Sequence, residues 1–341
     1  MRDIVTTAVR GKAVTTATWH RFWDALGEGR VDRAEAAALF AALSARGLDA
    51  VTADGLITSL GERRTKPAVR LPSSVNIVGT GGGPATVNVS TAAALVAATM
   101  GVSVLKTGSR AGSGTVGSID ILERLGIPLA RSADEAGEQL DRFGITFAGQ
   151  FVYPAELTRL ARTVLPLGLR AVGGIVNSLG PFLANVSTGA QLTGISDAST
   201  PHVFQHLAKK RTDTRIWLCH NDLGADELLS IAPSHVHDNG AGSFVVDPVA
   251  IGIGGGTLAD LARPTDDAAA DFLALVAGQA PEAAVATVCL NAAALAVLAG
   301  VVSGFADGVR AARAVIDDGT VLDLARRLAA EKLVGTGGRH G

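Results

Sequence analysis

One segment narrows the range of possible folds more than any other: residues 75–101 read VNIVGTGGGPATVNVSTAAALVAATMG. The segment passes from an apolar, β-branched stretch through a glycine cluster into an alanine-rich stretch that is typical of a helix. The backbone N–H groups of a glycine-rich turn can gather around an anion, and a following helix adds the positive end of its dipole. The segment therefore predicts a phosphate-binding loop between a strand and a helix, in which Ser90 or Thr91 either caps the helix or contacts a phosphate or a metal ion.

Two well-known phosphate loops fit this segment badly. It has no GK[ST] ending, and residues 105–108 (LKTG), near the end of the next predicted strand, lack the acid that holds the ribose of NAD. Lys106 indicates a second phosphate group instead, because it opens another glycine-rich and hydroxyl-rich segment, KTGSRAGSGTVGS. Two such loops favour a pyrophosphate ligand.

A pyrophosphate site usually includes a divalent cation, and hard cations such as Mg²⁺ prefer carboxylate ligands. Asp226 and Glu227 are adjacent acids that follow an apolar strand and a glycine, in the segment WLCHNDLGADELLSIAPSHVHDNG. The pair is either a metal site or a solvated turn at the protein surface.

The organisation of the chain is that of an α/β protein with a helical start. The 341 residues, 48% of them apolar, suffice for two domains. Residues 17–63 show helical spacing, with Phe22 and Trp23 on one face and Phe40 on another, and the linker RRTKPAVRLP then leads into a first strand at Val75 to Val78. We predict a small helical domain over residues 1–72, to which a segment around 160–190 returns. Residues 73–341 form the larger α/β domain, with a central, mainly parallel sheet and helices over 282–333.

Charge and targeting signals exclude several classes of partner. The formal charge of −2 gives no bulk reason to bind nucleic acid or an anionic membrane. The start MRDIVTTAVRGKAV lacks the apolar core of a signal peptide, and Cys219 and Cys289 show no metal-ligand spacing. We expect a cytoplasmic protein that does not enter the membrane.

Three motifs resemble those of the anthranilate phosphoribosyltransferase family. Its members carry a GTGGD…NIST loop, a KHGNR loop followed by SGSADVLE.LG, and a GLDE segment. The matching stretches here are GTGGGPATVNVST, KTGSRAGSGTVGSIDILERLG and GADE. The likeness continues in SLGPFLANV, APSHVHDNG, LNAAALAVLAG and FADGVRAARAVIDDG, so that it covers most of the chain.

The resemblance implies a fold, also similar to that of nucleoside phosphorylases, in which a small helical domain joins a larger α/β domain. It further implies a homodimer through the helical domain, and 5-phosphoribosyl-1-pyrophosphate (PRPP) and Mg²⁺ bound in the cleft between the domains. Ser90, Asp226 and Glu227 would hold Mg²⁺, and Lys106 with the two acids would stabilise charge on the departing pyrophosphate. The residues implied for PRPP binding are Gly79, Thr80, Gly81, Gly82, Asn88, Ser90, Thr91, Lys106 and Ser118.

The departures from the family pattern cluster where its members hold the acceptor. Thr107 and Ser109 replace the histidine and asparagine of KHGNR. The arginine that meets the anthranilate carboxylate corresponds either to Gly173 or, with an insertion, to Arg170. Gly83 replaces the aspartate of GTGGD, and Pro84 follows it.

Loss of a cation would leave a carboxylate acceptor without its partner, so we expect anthranilate to bind poorly. The predicted acceptor is the hydroxyl of an aminoglycoside such as neamine, in antibiotic biosynthesis. An alcohol needs a general base, for which His235, Asp222 and His237 are candidates.

Two alternative functions stay open. One is anthranilate phosphoribosyl transfer in tryptophan biosynthesis. The other is a non-catalytic, nucleic-acid-binding relative, supported only by the basic runs RRTKPAVR and AKKRTDTR. The retention of Lys106, Asp226 and Glu227 favours an enzyme.

Overall fold

The computed structural model describes residues 2–65, 68–108, 116–168, 172, 174–262 and 266–335. Its helices are numbered in chain order. Those of the N-terminal region are α1 (Arg2–Val9), α2 (Thr16–Gly27), α3 (Arg33–Arg46) and α4 (Ala50–Glu62). Those that follow are α5 (Val89–Thr99), α6 (Ser118–Arg124), α7 (Ala133–Phe143), α8 (Ala155–Thr163), α9 (Gly174–Ser178), α10 (Gly180–Leu183), α11 (Pro201–Lys209), α12 (Pro248–Ile251), α13 (Ala268–Val276), α14 (Glu282–Leu298), α15 (Phe305–Asp317) and α16 (Thr320–Gly335).

An aromatic cluster holds the N-terminal helices together. Trp19, Phe22 and Trp23 are spaced three and four residues apart on α2, so they share one face, and Phe40 of α3 packs against that face. Contacting rings in the cluster have centroids between 4.9 and 5.9 Å apart, and all four side chains are buried. The faces predicted from helical spacing are therefore confirmed.

The sheet occupies the centre of the remaining chain. Its strands are β1 (Val69–Gly79), β2 (Val104–Lys106), β3 (Ile145–Phe147), β4 (Val186–Gly194), β5 (Arg215–His220), β6 (Ser234–Asp238) and β7 (Gly242–Val246). Among the described residues these seven form one sheet in the order β3-β2-β1-β4-β5-β6-β7. The first five in this order are parallel, and β6 and β7 are antiparallel to their neighbours. The carboxyl ends of β1, β2, β4 and β5 consequently meet at one edge, where ligands of open α/β sheets bind.

Two alanine-rich helices, α5 and α14, lie buried against each other beside the sheet. Small side chains let a third helix, α15, approach α14 closely: a methyl group at Gly308 of α15 would lie 2.7 Å from the Cβ of Ala293 on α14. Thr287 and Asn291 are polar residues buried on α14. The prediction of helices over 282–333 is confirmed, although residues 299–304 and 318–319 connect them.

The predicted fold class, a helical start with an α/β part around a mainly parallel sheet, is confirmed. Two details differ. β1 begins at Val69 rather than Val75, with an irregular register between Leu71 and Val75 that interrupts the apolar alternation. β4 was absent from the sequence prediction, because its polar residues hide the strand pattern although Thr188, Gln191 and Thr193 are buried.

The division into domains at residue 72 stays a prediction. Buried residues between Leu160 and Leu183 belong to the same apolar cluster as those between Ile4 and Leu60. That cluster continues onto Ile216 and Leu218 of β5, so the helical region packs against one face of the sheet.

No helix in the described ranges combines the length and hydropathy that crossing a lipid bilayer requires.

Replacing Phe40 by alanine should lower the free energy of unfolding by about 3–5 kcal/mol, because it removes a fully buried ring from the aromatic cluster. Urea denaturation measures the loss. Val51→Ala is the control, since Val51 is 56% exposed on the neighbouring helix and should change stability by less than about 0.5 kcal/mol. Equal effects of the two substitutions would contradict the packing described here.

Candidate active site

The glycine loop after β1 is shaped by contacts with the end of β4. Thr80 N–H donates to Gly194 O (2.9 Å), and Ser196 N–H donates to Thr80 Oγ1 (3.2 Å). Gly81 and Gly82 have φ angles of +68° and +90°, a backbone region that favours glycine. The loop therefore needs the glycines that the sequence analysis assigned to it.

Three further glycines make room for the segment that carries the acidic pair. A methyl group at Gly79 would lie 2.0 Å from Asp226 Oδ2, and one at Gly194 would lie 1.7 Å from Asp226 O. At Gly83 a methyl group would lie 2.4 Å from Gly224 O. Gly83, which stands in place of the aspartate of the GTGGD motif, thus allows the glycine loop to approach the loop after β5.

The two carboxyl groups meet the glycine loop directly. Asp226 Oδ2 accepts a hydrogen bond from Gly81 N–H (2.7 Å), and Glu227 Oε1 accepts one from the hydroxyl of Thr86 (2.9 Å). Glu227 Oε2 is buried and, among the described residues, has no hydrogen-bond partner. The pair is therefore not a solvated turn, which was the other reading of these residues.

Lys106 lies at the end of β2 with 3% of its surface exposed. Its Nζ donates to Ile77 O (3.2 Å) and Thr107 O (3.3 Å). Burial lowers the pKa of Lys106 to about 8, although the fields of Asp226 and Glu227 act to raise it.

Burial has the opposite effect on the carboxyl groups. It raises the pKa of Asp226, against the stabilising hydrogen bond from Gly81. Burial and the neighbouring Asp226 raise the pKa of Glu227 to about 8. A cation or a bound metal ion would favour the ionised carboxylates, so this site is electrostatically prepared for a positive ligand.

The residues present fit a magnesium ion that is also held by a ligand phosphate. The described residues contain no group of three or more His, Cys, Asp or Glu side chains arranged to hold a metal ion by themselves. Mg²⁺ is commonly bound by one or two carboxylates together with substrate phosphates and water. The free oxygen of Glu227 is a hard ligand in the right chemical class.

The first turn of α5 differs from one expectation. Asn88 occupies the N-cap position, and Ser90 and Thr91 lie inside the helix, so the capping role considered for these two residues is wrong. Asn88 Nδ2 donates to Val116 O (3.1 Å), which ties the glycine loop to the segment before α6. Thr91 Oγ1 is buried and, within the described part of the chain, has no hydrogen-bond partner.

The second loop is described only in part. A methyl group at Gly108 would lie 2.2 Å from Ser118 Oγ, so Ser118 at the start of α6 lies against the end of β2. Ser109, Arg170 and Gly173, which were assigned to the acceptor region, lie outside the described residues.

Thr107 is fully buried. Its N–H donates to Asn76 Oδ1 (3.1 Å), and its hydroxyl lies 3.1 Å from Asn76 Nδ2. Asn76 also donates to Gln191 Oε1 (3.1 Å), and the hydroxyl of Tyr153 donates to Gly108 O (3.4 Å). The side chain and N–H group of Thr107 thus bond the uncharged Asn76, while its carbonyl oxygen accepts from Lys106 Nζ.

The candidate bases on β6 lie away from Lys106. Four strand steps separate β6 from β2, or about 19 Å at the usual strand spacing. The ring of His235 stacks on His220 at 5.1 Å, and His237 Nδ1 lies 3.0 Å from Ser243 Oγ. This separation argues against His235 and His237 as the base for an acceptor beside Thr107, and the role of Asp222 stays a prediction.

The two basic runs make contacts within the protein. Arg64 donates to Leu183 O and Asn185 Oδ1 (both 3.0 Å), and Arg211 donates to Val186 O (3.2 Å). These bonds join the end of α4 and the chain after α11 to the start of β4. The observation weakens the nucleic-acid alternative, since these two arginines serve the fold.

Sequence reasoning missed Thr86, Asn221 and Asn291, whose side chains contact the acidic segment. Thr86 could have been predicted as a site residue, because it carries a hydroxyl group and lies inside the glycine loop. Asn221 follows a predicted strand directly and could have been suspected. Asn291 is a polar residue in an alanine-rich helix, and nothing in its local sequence indicates its partner.

Comparison with known protein families identifies the class of protein to which this site belongs. Residues 71–322 match the family model described as "Glycosyl transferase family, a/b domain", which makes this part of the chain a glycosyltransferase domain.

Similar full-length proteins narrow the class to one family. Anthranilate phosphoribosyltransferase from Methylobacterium nodulans is 32% identical over 326 residues, covering 94% of this chain and 95% of the relative. The crystal structure of anthranilate phosphoribosyltransferase from Thermus thermophilus superposes with a TM-score of 0.79 at 30% identity, covering 97% of this chain and 99% of that one. The chain belongs to the anthranilate phosphoribosyltransferase family, as its motifs predicted.

A more distant structure shows the same fold. The Saccharomyces cerevisiae enzyme, in complex with PRPP and Mg, has a TM-score of 0.77 at 18% identity and covers 94% of this chain and 92% of that one.

Lys106→Met should raise the free energy of unfolding at neutral pH, because it replaces a buried charge by an apolar side chain of similar size. The gain in stability from the substitution should shrink as the pH rises from about 8, the pKa of Lys106 in the folded protein, towards 10.5, its pKa in the unfolded chain. In that window the native lysine has lost its proton while the unfolded one keeps it, so wild-type stability rises with pH.

Urea denaturation across this pH window measures the effect. Lys209→Met is the matched control, since Lys209 is exposed and its charge stays in water. A Lys106→Met protein that is less stable than wild type at neutral pH would contradict the burial cost assigned to Lys106.

Proposed function

We propose that the chain is a Mg²⁺-dependent phosphoribosyltransferase that uses PRPP as its donor. The observation that carries the proposal is the buried Oε2 of Glu227 beside the glycine loop, which has no hydrogen-bond partner in the part of the chain that the structure describes. Membership of the anthranilate phosphoribosyltransferase family supports it. The complex of the yeast enzyme with PRPP and Mg supports the same pairing of donor and metal.

Each part of the site has a task in this function. The glycine loop, with the N-terminal end of α5, binds the pyrophosphate group, while the N–H groups of Thr80 and Gly81 hold that loop against Gly194 and Asp226. Lys106 supplies positive charge where negative charge develops on the departing oxygens. Asp226 and Glu227 hold Mg²⁺, which when bound stabilises the same charge.

The acceptor we propose is something other than anthranilate, with the hydroxyl of an amine-rich sugar such as neamine as the candidate. The specific observation is Thr107, which is buried and bonded to the neutral Asn76 where relatives have a histidine. Unlike a histidine, the side chain of Thr107 cannot carry a positive charge, so it neither attracts a carboxylate nor repels an acceptor carrying ammonium groups.

Anthranilate is the second candidate, favoured by the names of the relatives. The predicted homodimer through the helical domain, the cytoplasmic location and the place in antibiotic biosynthesis stay proposals beside it. The division into a helical domain and an α/β domain at residue 72 also stays a proposal.

PRPP should bind the wild-type protein tightly only when Mg²⁺ is present, which isothermal titration calorimetry measures. The double variant Asp226→Asn, Glu227→Gln keeps the side-chain volumes but removes both anionic ligands. We expect it to lose the Mg²⁺-dependent part of the binding while its circular dichroism spectrum stays unchanged.

Asp247→Asn is the matched control, because Asp247 is an exposed acid that caps α12. It should leave PRPP binding unaltered. Mg²⁺-dependent binding of normal strength by the double variant would remove the proposed metal site, and an absence of PRPP binding by the wild type would remove the proposed function.

Incubation with PRPP and Mg²⁺ should yield pyrophosphate and a phosphoribosylated product with neamine and little product with anthranilate. Mass spectrometry of the product and a pyrophosphate assay report the two reactions separately. A kcat/KM for anthranilate of about 10⁴ M⁻¹s⁻¹ or more, as is usual for enzymes on their own substrates, would overturn the acceptor proposal and leave the donor proposal standing.

A further inference from the structure

The amide side chain of Asn221 encloses the acidic pair from one side. Asn221 directly follows β5 and is 1% exposed. Its Nδ2 donates to Ala225 O (3.0 Å) and Glu227 O (2.9 Å), and its Oδ1 accepts from Ala225 N–H (3.2 Å). These bonds hold the backbone on both sides of Asp226.

A second buried amide holds the residue after the acidic pair. Asn291 of α14 donates from Nδ2 to Leu228 O (2.8 Å), and its Oδ1 accepts from Leu228 N–H (3.2 Å). The backbone from Ala225 to Leu228 is therefore fixed by side chains from two separate elements. Because both amides are buried, water cannot readily replace the bonds they make.

The sheet closes the remaining side. Asp226 O lies so close to Gly194 that a methyl group there would be 1.7 Å away, so the segment has no room to move towards β4. With the backbone held, Glu227 Oε1 accepts a hydrogen bond from the Thr86 hydroxyl, and Oε2 has no partner among the described residues. The direction in which that oxygen points is thus set by residues that are not metal ligands.

We propose that Asn221 is a positioning residue that sets the metal affinity of Asp226 and Glu227, an inference that rests on the proposed function. Only a side chain with both a donor and an acceptor can bond two carbonyl groups and an N–H group at once. An amide does so without adding charge beside two carboxylates. Holding the ligands in place before the ion arrives removes the ordering cost from metal binding.

The competing explanation is that Asn221 only stabilises a turn. Asn239 provides a matched control, because it makes similar hydrogen bonds far from the acidic pair. Asn239 Nδ2 donates to Ala208 O (3.2 Å) and Thr214 O (3.1 Å), and its Oδ1 accepts from Ile216 N–H (2.8 Å). It is therefore the same kind of amide clamp at the opposite end of β5, away from the acidic pair.

The experiment measures Mn²⁺ affinity by electron paramagnetic resonance in the presence of PRPP, for wild type, Asn221→Ala and Asn239→Ala. Thermal denaturation is recorded for all three. We expect both variants to lose thermal stability and only Asn221→Ala to bind Mn²⁺ more weakly, by about tenfold or more. Raising the metal concentration should then restore PRPP binding by Asn221→Ala, since its ligands are intact.

Two results would overturn the positioning role: unchanged Mn²⁺ affinity in Asn221→Ala, or an equal loss of affinity in both variants. If Asn221→Ala yields no folded protein, Asn221→Ser is measured in its place and read by the same two results. Absence of Mn²⁺ binding by the wild type with PRPP would instead show that the proposed function itself has failed.

Discussion

The constraint on which this site depends is the burial of Glu227 and Lys106, with the half-buried Asp226 beside them, at the carboxyl edge of a parallel sheet. Asp226 reaches that position only because Gly79 and Gly194 have no side chains to exclude it. The glycine loop, the ends of β1 and β4 and the loop after β5 therefore form one packed unit. A change at any of these glycines would displace the acids as well as the backbone around them.

Burial determines the chemistry of the unit as well as its shape. It lowers the pKa of Lys106 and raises that of Glu227, each to about 8, because charged forms are poorly solvated there. This burial costs stability, and the partner of Glu227 Oε1 is the uncharged hydroxyl of Thr86, which leaves the carboxylate charge available to a ligand. Groups held in this way interact strongly with a charged ligand, since little reorganisation is needed when it binds. Binding sites commonly lower the folding stability of a protein in this way, because function requires groups that packing alone would not favour.

The local parts of this arrangement could be predicted from sequence, and the long-range parts could not. The glycine loop, Lys106 and the pair Asp226–Glu227 each carry a local motif or a family resemblance. β4 was missed because Gln191 and Thr193 face a buried polar network, and a periodicity argument takes buried positions to be apolar. The contact between Leu228 and Asn291 joins residues 63 positions apart, a pairing that only the packing of α14 determines. Thr107 was correctly placed at the end of β2, but its burial became visible only with Asn76 beside it.

The most direct test of the proposed metal and PRPP site is a crystal structure with PRPP and Mn²⁺, with the metal located by its anomalous scattering. If Asp226 and Glu227 hold the metal, an anomalous peak lies within coordination distance, roughly 2 Å, of Glu227 Oε2. The pyrophosphate group should lie against the N–H groups of the glycine loop in the same map. A metal peak away from both carboxylates, with PRPP bound elsewhere on the protein, would contradict the account.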